Sequence, residues 1–145
     1  MPRIDFWEVS RDPAPRVVAL IARQVLALGQ RLLVVSADAD QRQEIANALW
    51  NGPPESFLAN GEASAPGKER QPILLSPECE AHNGASHIIF ADGLFRDCVG
   101  FERTFLLFDE AGKPDARRVW RSLDDREDLE RSFYRQDGGK WVKLA

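Results

Sequence analysis

The sequence holds few of the residues from which metal centres and disulfide frameworks are built. It has two cysteines and two histidines in 145 residues. Cys79 and Cys98 are far enough apart for a bridge, but a reduced pair is the expectation for a cytosolic chain. The stretch "CEAHNGASH" sets His82 and His87 near Cys79. It offers no CxxC pair and no HExxH helix, so no metal site is expected. No apolar run approaches the roughly 20 residues that cross a bilayer. The start, "MPRIDFWEVS", lacks the apolar block of a signal peptide, and a cytoplasmic location without membrane contact is expected. Glycine-rich phosphate loops are missing too. The first candidate strand runs into "SRDPAP" and the second into the doubly acidic "SADADQ". Neither matches GxGxxG or GxxxxGKS, and no GxSxG elbow occurs. No cofactor and no catalytic residue is assigned, and the chain is not expected to be an enzyme. A strong positive charge is also lacking. The net charge is −4, with 19 Lys+Arg against 23 Asp+Glu, which disfavours direct binding of duplex DNA.

What remains is an ordinary globular composition, 43% hydrophobic and 29% charged. "RIDFWEV" alternates as a strand does. After it, Val17, Val18, Leu20, Ile21, Val25 and Leu28 recur at helical spacing, with Pro15 in the first turn and Gly29 at the end. "RLLVVSA" has the continuous apolar character of a strand covered on both faces. Asp38 and Gln41 have the form of a capping box opening a helix through Ile45 and Leu49, which stops by "NGPP". Asp38 and Asp40 are paired acids, but a helix start explains them, because acids favour that end of the dipole. Residues 59–72 read as an exposed loop, "ILLS" and "SHIIFAD" as strands, and "GLFRDCVGFE" as a helical turn. "RTFLLFD" is a further buried strand, and "RSFYRQ", "DGG" and "KWVKLA" make a hairpin. Strands alternating with helices predict a three-layer α/β/α fold. The expectation is a single domain over 1–145, with a mostly parallel central sheet and antiparallel C-terminal strands.

The densest chemistry lies in "PDARRVWRSL", residues 114–123. On a helix, Ala116, Val119, Trp120 and Leu123 share one face and pack on the sheet. Lys113, Arg117 and Arg121 stand four apart in a cationic row beside that stripe. Such a row can be a merely solvated face, eased by Asp115, Asp124 and Asp125. Read functionally, an aromatic shelf beside cations suits a peptide with a free carboxylate, an apolar last residue and acids upstream. Trp50, at the end of the second helix, is equally a surface wall or a core plug.

With these stretches the chain resembles the chi subunit of bacterial DNA polymerase III holoenzyme. The likeness runs through "IDFWEV", "GQRLLVVSADADQRQEIANALW", "PPESFLAN", "FERTFLLFD" and "ARRVWRSL". It implies a non-catalytic accessory subunit in DNA replication. That subunit links the clamp-loader assembly, through the small psi subunit, to single-stranded DNA-binding protein, so that DNA is met only indirectly. It implies a grip on that protein's acidic C-terminal tail, which ends in phenylalanine. Matching positions assign Lys113, Arg117, Trp120 and Arg121 to the tail, with Trp50 as a wall, and Phe57 and Phe108 to psi. Other members carry tyrosine where Trp120 stands. The acids of "DDREDLE" replace a basic residue common in the family, and would repel an acidic tail. Two rival readings are a nucleotide-binding α/β enzyme and a direct binder of single-stranded nucleic acid.

Overall fold

The computed structural model describes residues 2–52 and 58–145. Along the chain run β1 (Arg3–Glu8), α1 (Ala14–Ala27), β2 (Leu32–Val35), α2 (Ala39–Trp50), β3 (Asn60–Glu62) and a 3-10 turn (Lys68–Arg70). There follow β4 (Ile73–Ser76), β5 (His87–Phe90), β6 (Arg103–Phe108), α3 (Lys113–Ser122), β7 (Glu130–Asp137) and β8 (Lys140–Lys143). The strands form one sheet in the order β3-β4-β2-β5-β6-β1-β7-β8. All neighbours are parallel except β7 and β8, the antiparallel C-terminal pair.

Successive side chains on a strand point to opposite faces, so the sheet sorts its residues into two cores. One face carries Trp7, Leu32, Val34, Ile73, Leu75, Phe105 and Leu107 under α1 and α2. The other carries Phe6, Leu33, Val35, Leu74, Ile88, Leu106 and Phe108 under α3. The continuous apolar run at β2 follows from this double cover, since all four of its residues are buried. The three layers expected from the sequence are therefore present.

Several local expectations need correcting. Residues 59–72 are not simply a loop, because the short edge strand β3 pairs with β4 there. "GLFRDCVGFE" contains no helical turn; it is an irregular segment, with Gly93 at φ +79° and Gly100 at φ +91°. Cys79 and Cys98 are not a reduced pair but a disulfide, with Cα atoms 6.4 Å apart. Only the tertiary fold brings the loops after β4 and β5 together, so spacing along the chain carried no signal of it. The capping box is half formed. Asp38 accepts from the amides of Asp40 (2.9 Å) and Gln41 (3.4 Å). The Gln41 side chain does not return to the cap. Its amide oxygen accepts from the Ser36 hydroxyl (2.5 Å) and its amide nitrogen donates to the Ala91 carbonyl (2.9 Å), tying α2 to the ends of β2 and β5.

His87, on β5, is 6% exposed, with its Nδ1 2.8 Å from the Ser86 hydroxyl. Burial is the main cause that holds its pKa below the ordinary histidine value of 6.5. The unfolded chain therefore binds a proton that the folded chain refuses. Stability present above about pH 6.5 is lost as the pH falls through that value toward the lowered folded pKa. Urea midpoints measured from pH 7.5 down to 5 should decline, and His87→Gln should flatten that part of the profile.

Candidate functional site

The site is built on α3, whose first turn starts beside the end of β1. Glu8 is 6% exposed and points to the α3 face; Lys113 Nζ lies 3.3 Å from its Oε1. Seven residues on, Trp120 meets Phe6 edge-on, with ring centroids 5.1 Å apart, and Phe133 of β7 at 6.0 Å. Four further, Asp124 pairs with Arg131 of β7. Residues 113 and 120 thus lie on one helical stripe that turns toward β1 and β7, and Asp124, in the turn after α3, pairs onward to β7. Arg117, one turn from Lys113, stands on the same side of α3 and is exposed.

Arg117 and Arg121 are exposed, and among the described residues neither has an ion pair or side-chain hydrogen bond. Arg118 is different, because it pairs with Asp115 at 2.8 Å on the outer surface. The helix thus keeps two guanidinium groups unneutralised beside its partly buried tryptophan. The acids that follow are partly spoken for. Arg131 takes Asp124, and Arg126 binds Asp128 at 2.7 and 2.8 Å, holding that carboxyl down to about 2.

Two features of the expected site differ in the structure. Lys113 is held by the buried Glu8 carboxylate, so it is the least available member of the row. The Trp120 shelf is also occupied. The Arg131 guanidinium lies 4.4 Å from its ring centroid and donates to its backbone carbonyl, while Phe6 and Phe133 meet it edge-on. Arg131 lay outside the row read from the sequence, although alternation in "RSFYRQ" places Arg131, Phe133 and Arg135 on one face.

The remaining assigned residues are not gathered here. Trp50 ends α2, whose Ile45 and Leu49 pack in the other core, so it lies in the layer across the sheet from α3. It is 51% exposed, which makes it a surface residue rather than a core plug. Phe108 is 2% exposed and packs against Phe133 at 5.5 Å; its ring serves the core and offers no surface. Phe57 lies outside the described residues.

The place where an α/β sheet would take a nucleotide is also formed. It is a cleft of about 340 Å³ beyond the C-terminal ends of β1, β5 and β6. Asp12, Asp92, Asp109 and Asp115 line it. Gln136 donates to Asp12, and this hydrogen bond is the main cause that lowers its pKa. Burial pushes Asp92 upward, but Arg96 and the amides of Ala37 and Leu94 outweigh it, for a net lowering. A cleft lined by four aspartates, and by no lysine or arginine among its lining residues, is poor ground for a phosphate, which opposes the nucleotide reading.

The family model described as DNA polymerase III chi subunit, HolC, matches residues 1–129. No curated protein matches the chain.

Proposed function

The chain belongs to the DNA polymerase III chi subunit family, and from that membership we propose that it is a non-catalytic adaptor gripping the acidic C-terminal tail of single-stranded DNA-binding protein. As a chi subunit it is an accessory subunit of DNA polymerase III, working in DNA replication. In this reading it joins the clamp-loader assembly, through psi, to the protein that coats the single strand, and it meets DNA only through that partner. The cytoplasm is the compartment such a subunit works in. Phe57 is retained as a proposed psi contact.

One observation carries the tail reading. Arg117 and Arg121 stand exposed and unneutralised on a helix in an otherwise acidic protein. Exposed like charges four residues apart repel each other and add nothing to the fold, so their placement favours an anionic partner. A guanidinium fork fits a carboxylate in two parallel hydrogen bonds.

Titration calorimetry with a synthetic acidic peptide ending in phenylalanine tests this. Binding is expected, and it should weaken steadily between about 0.1 M salt, where charges are felt over ~10 Å, and about 1 M, where the range is ~3 Å. A pull-down of single-stranded DNA-binding protein from cell extract should be released by the same peptide. Absence of peptide binding, or an affinity indifferent to salt, contradicts the reading.

A further inference from the structure

The tail reading leaves the apolar last residue of the peptide without a seat. The Trp120 face carries Arg131, and its edges meet Phe6 and Phe133. The place beside it is the β7–β8 hairpin, whose α3 side is set by strand alternation. Phe133 packs in the α3-side core and Arg131 reaches Trp120, so Arg135 shares their face. Val142 lies opposite Arg135 in the antiparallel register, and Leu144 donates its amide to the Phe133 carbonyl at 2.7 Å. Cross-strand partners point the same way, so Val142 and Leu144 continue this face outward. They are 40% and 48% exposed. Trp141, one residue away, turns to the other core beside Trp7, at 4.6 Å between ring centroids.

The result is a floor and a wall. Val142 and Leu144 make the apolar floor, continuous with Phe133. Arg117 stands on the side of α3 that Trp120 turns to β7, and Arg135 lies opposite Val142 on the floor's own face. Among the described residues Arg135 has no ion pair or side-chain hydrogen bond. Apolar ground between two unneutralised guanidiniums complements a chain end that joins an apolar side chain to a carboxylate. The floor lies wholly in residues 130–145, beyond the family match.

Building on the tail reading, we infer that the β7–β8 hairpin is the floor of the peptide site. Val142 and Leu144 take the apolar side chain of the peptide's last residue, and Arg135 joins Arg117 in facing its carboxylate. The hairpin is then the element that reads the identity of the terminal residue, while α3 supplies attraction for the acids upstream.

The test compares three peptides by calorimetry: one ending in phenylalanine, one ending in alanine, and the phenylalanine peptide with an amidated end. Wild type should prefer phenylalanine over alanine by roughly tenfold, the value of burying much of an aromatic ring. The double variant Val142→Ser, Leu144→Ser should lose most of that preference while still binding both peptides. Arg135→Ala, which leaves the floor intact, should reduce the preference for the free acid over the amide. Undiminished preferences in both variants overturn the hairpin assignment and leave the α3 site standing. If wild type binds none of the peptides, the tail reading falls and the hairpin assignment with it. A wild type that sediments as a dimer, beside a double variant that sediments as a monomer, would put a second copy on this floor and also overturn the proposal.

Discussion

Asp5→Ala should destabilise the protein by about 3 kcal/mol, the largest effect expected of any single polar substitution here. Asp5 is 0% exposed in the middle of the sheet, on β1 between β6 and β7. Arg3 Nε donates to one of its oxygens at 2.8 Å, and Arg103 Nε donates to the other at 2.8 Å. Arg3 also donates to the Tyr134 hydroxyl at 2.6 Å, and the Arg103 guanidinium lies 4.7 Å from the Phe105 ring centroid. One carboxylate thus ties β1 to β6, and Arg3 extends the link to Tyr134 within β7. Removing it leaves two guanidiniums facing each other in a half-buried place. Their side chains keep 32% and 28% exposure, so water relieves part of the cost and the lower end of the usual range applies. Arg3→Ala should cost less, because Asp5 keeps Arg103. Urea unfolding measures both, and a wild-type midpoint for Asp5→Ala would show that the triad does not hold these strands.

Arg117→Ala should weaken binding of the acidic tail peptide by about 2 kcal/mol, or roughly thirtyfold, the worth of a hydrogen bond to a charged partner. The fold should be untouched, because Arg117 is exposed and its side chain holds nothing else among the described residues. Arg117→Lys keeps the charge but loses the fork, and should fall between. Arg118→Ala is the matched control. It removes the same charge from the same helix, but from a side chain already paired with Asp115, and should cost little. Equal losses at 117 and 118 would reduce the effect to overall charge, and no loss at 117 would remove it from the site. Lys113→Ala is a poorer probe. It strips from the buried Glu8 carboxylate the only ion pair it has among the described residues, so lost binding would be mixed with lost stability.

Much of the architecture was legible in the chain. The doubly covered strand at "RLLVVSA", the helix ending at Gly29 and the terminal hairpin all follow from periodicity and turn chemistry, which are local. The short strand Asn60–Glu62 was not legible, because three residues with a glycine carry no period, and pairing with β4 alone makes them a strand. The helical turn expected in "GLFRDCVGFE" failed for a related reason. Its segment is held to the body by Phe95, Phe101 and the bridge to Cys79, which override local preference.

In the candidate site, helical spacing alone put Arg117 and Trp120 one turn apart, and put Arg121 beside them. It could not show that Lys113 is held by Glu8, that Arg131 covers the indole, or that Trp50 stands in the opposite layer. Each depends on residues from 11 to more than 100 positions away. Sequence determined which side chains are neighbours on one helix or one strand, because 3.6 and 2 residues per repeat are properties of the backbone. Tertiary structure decided which of those charges are free and which are spent, because ion pairing depends on distance in space, and packing α3 over β1 and β7 sets those distances.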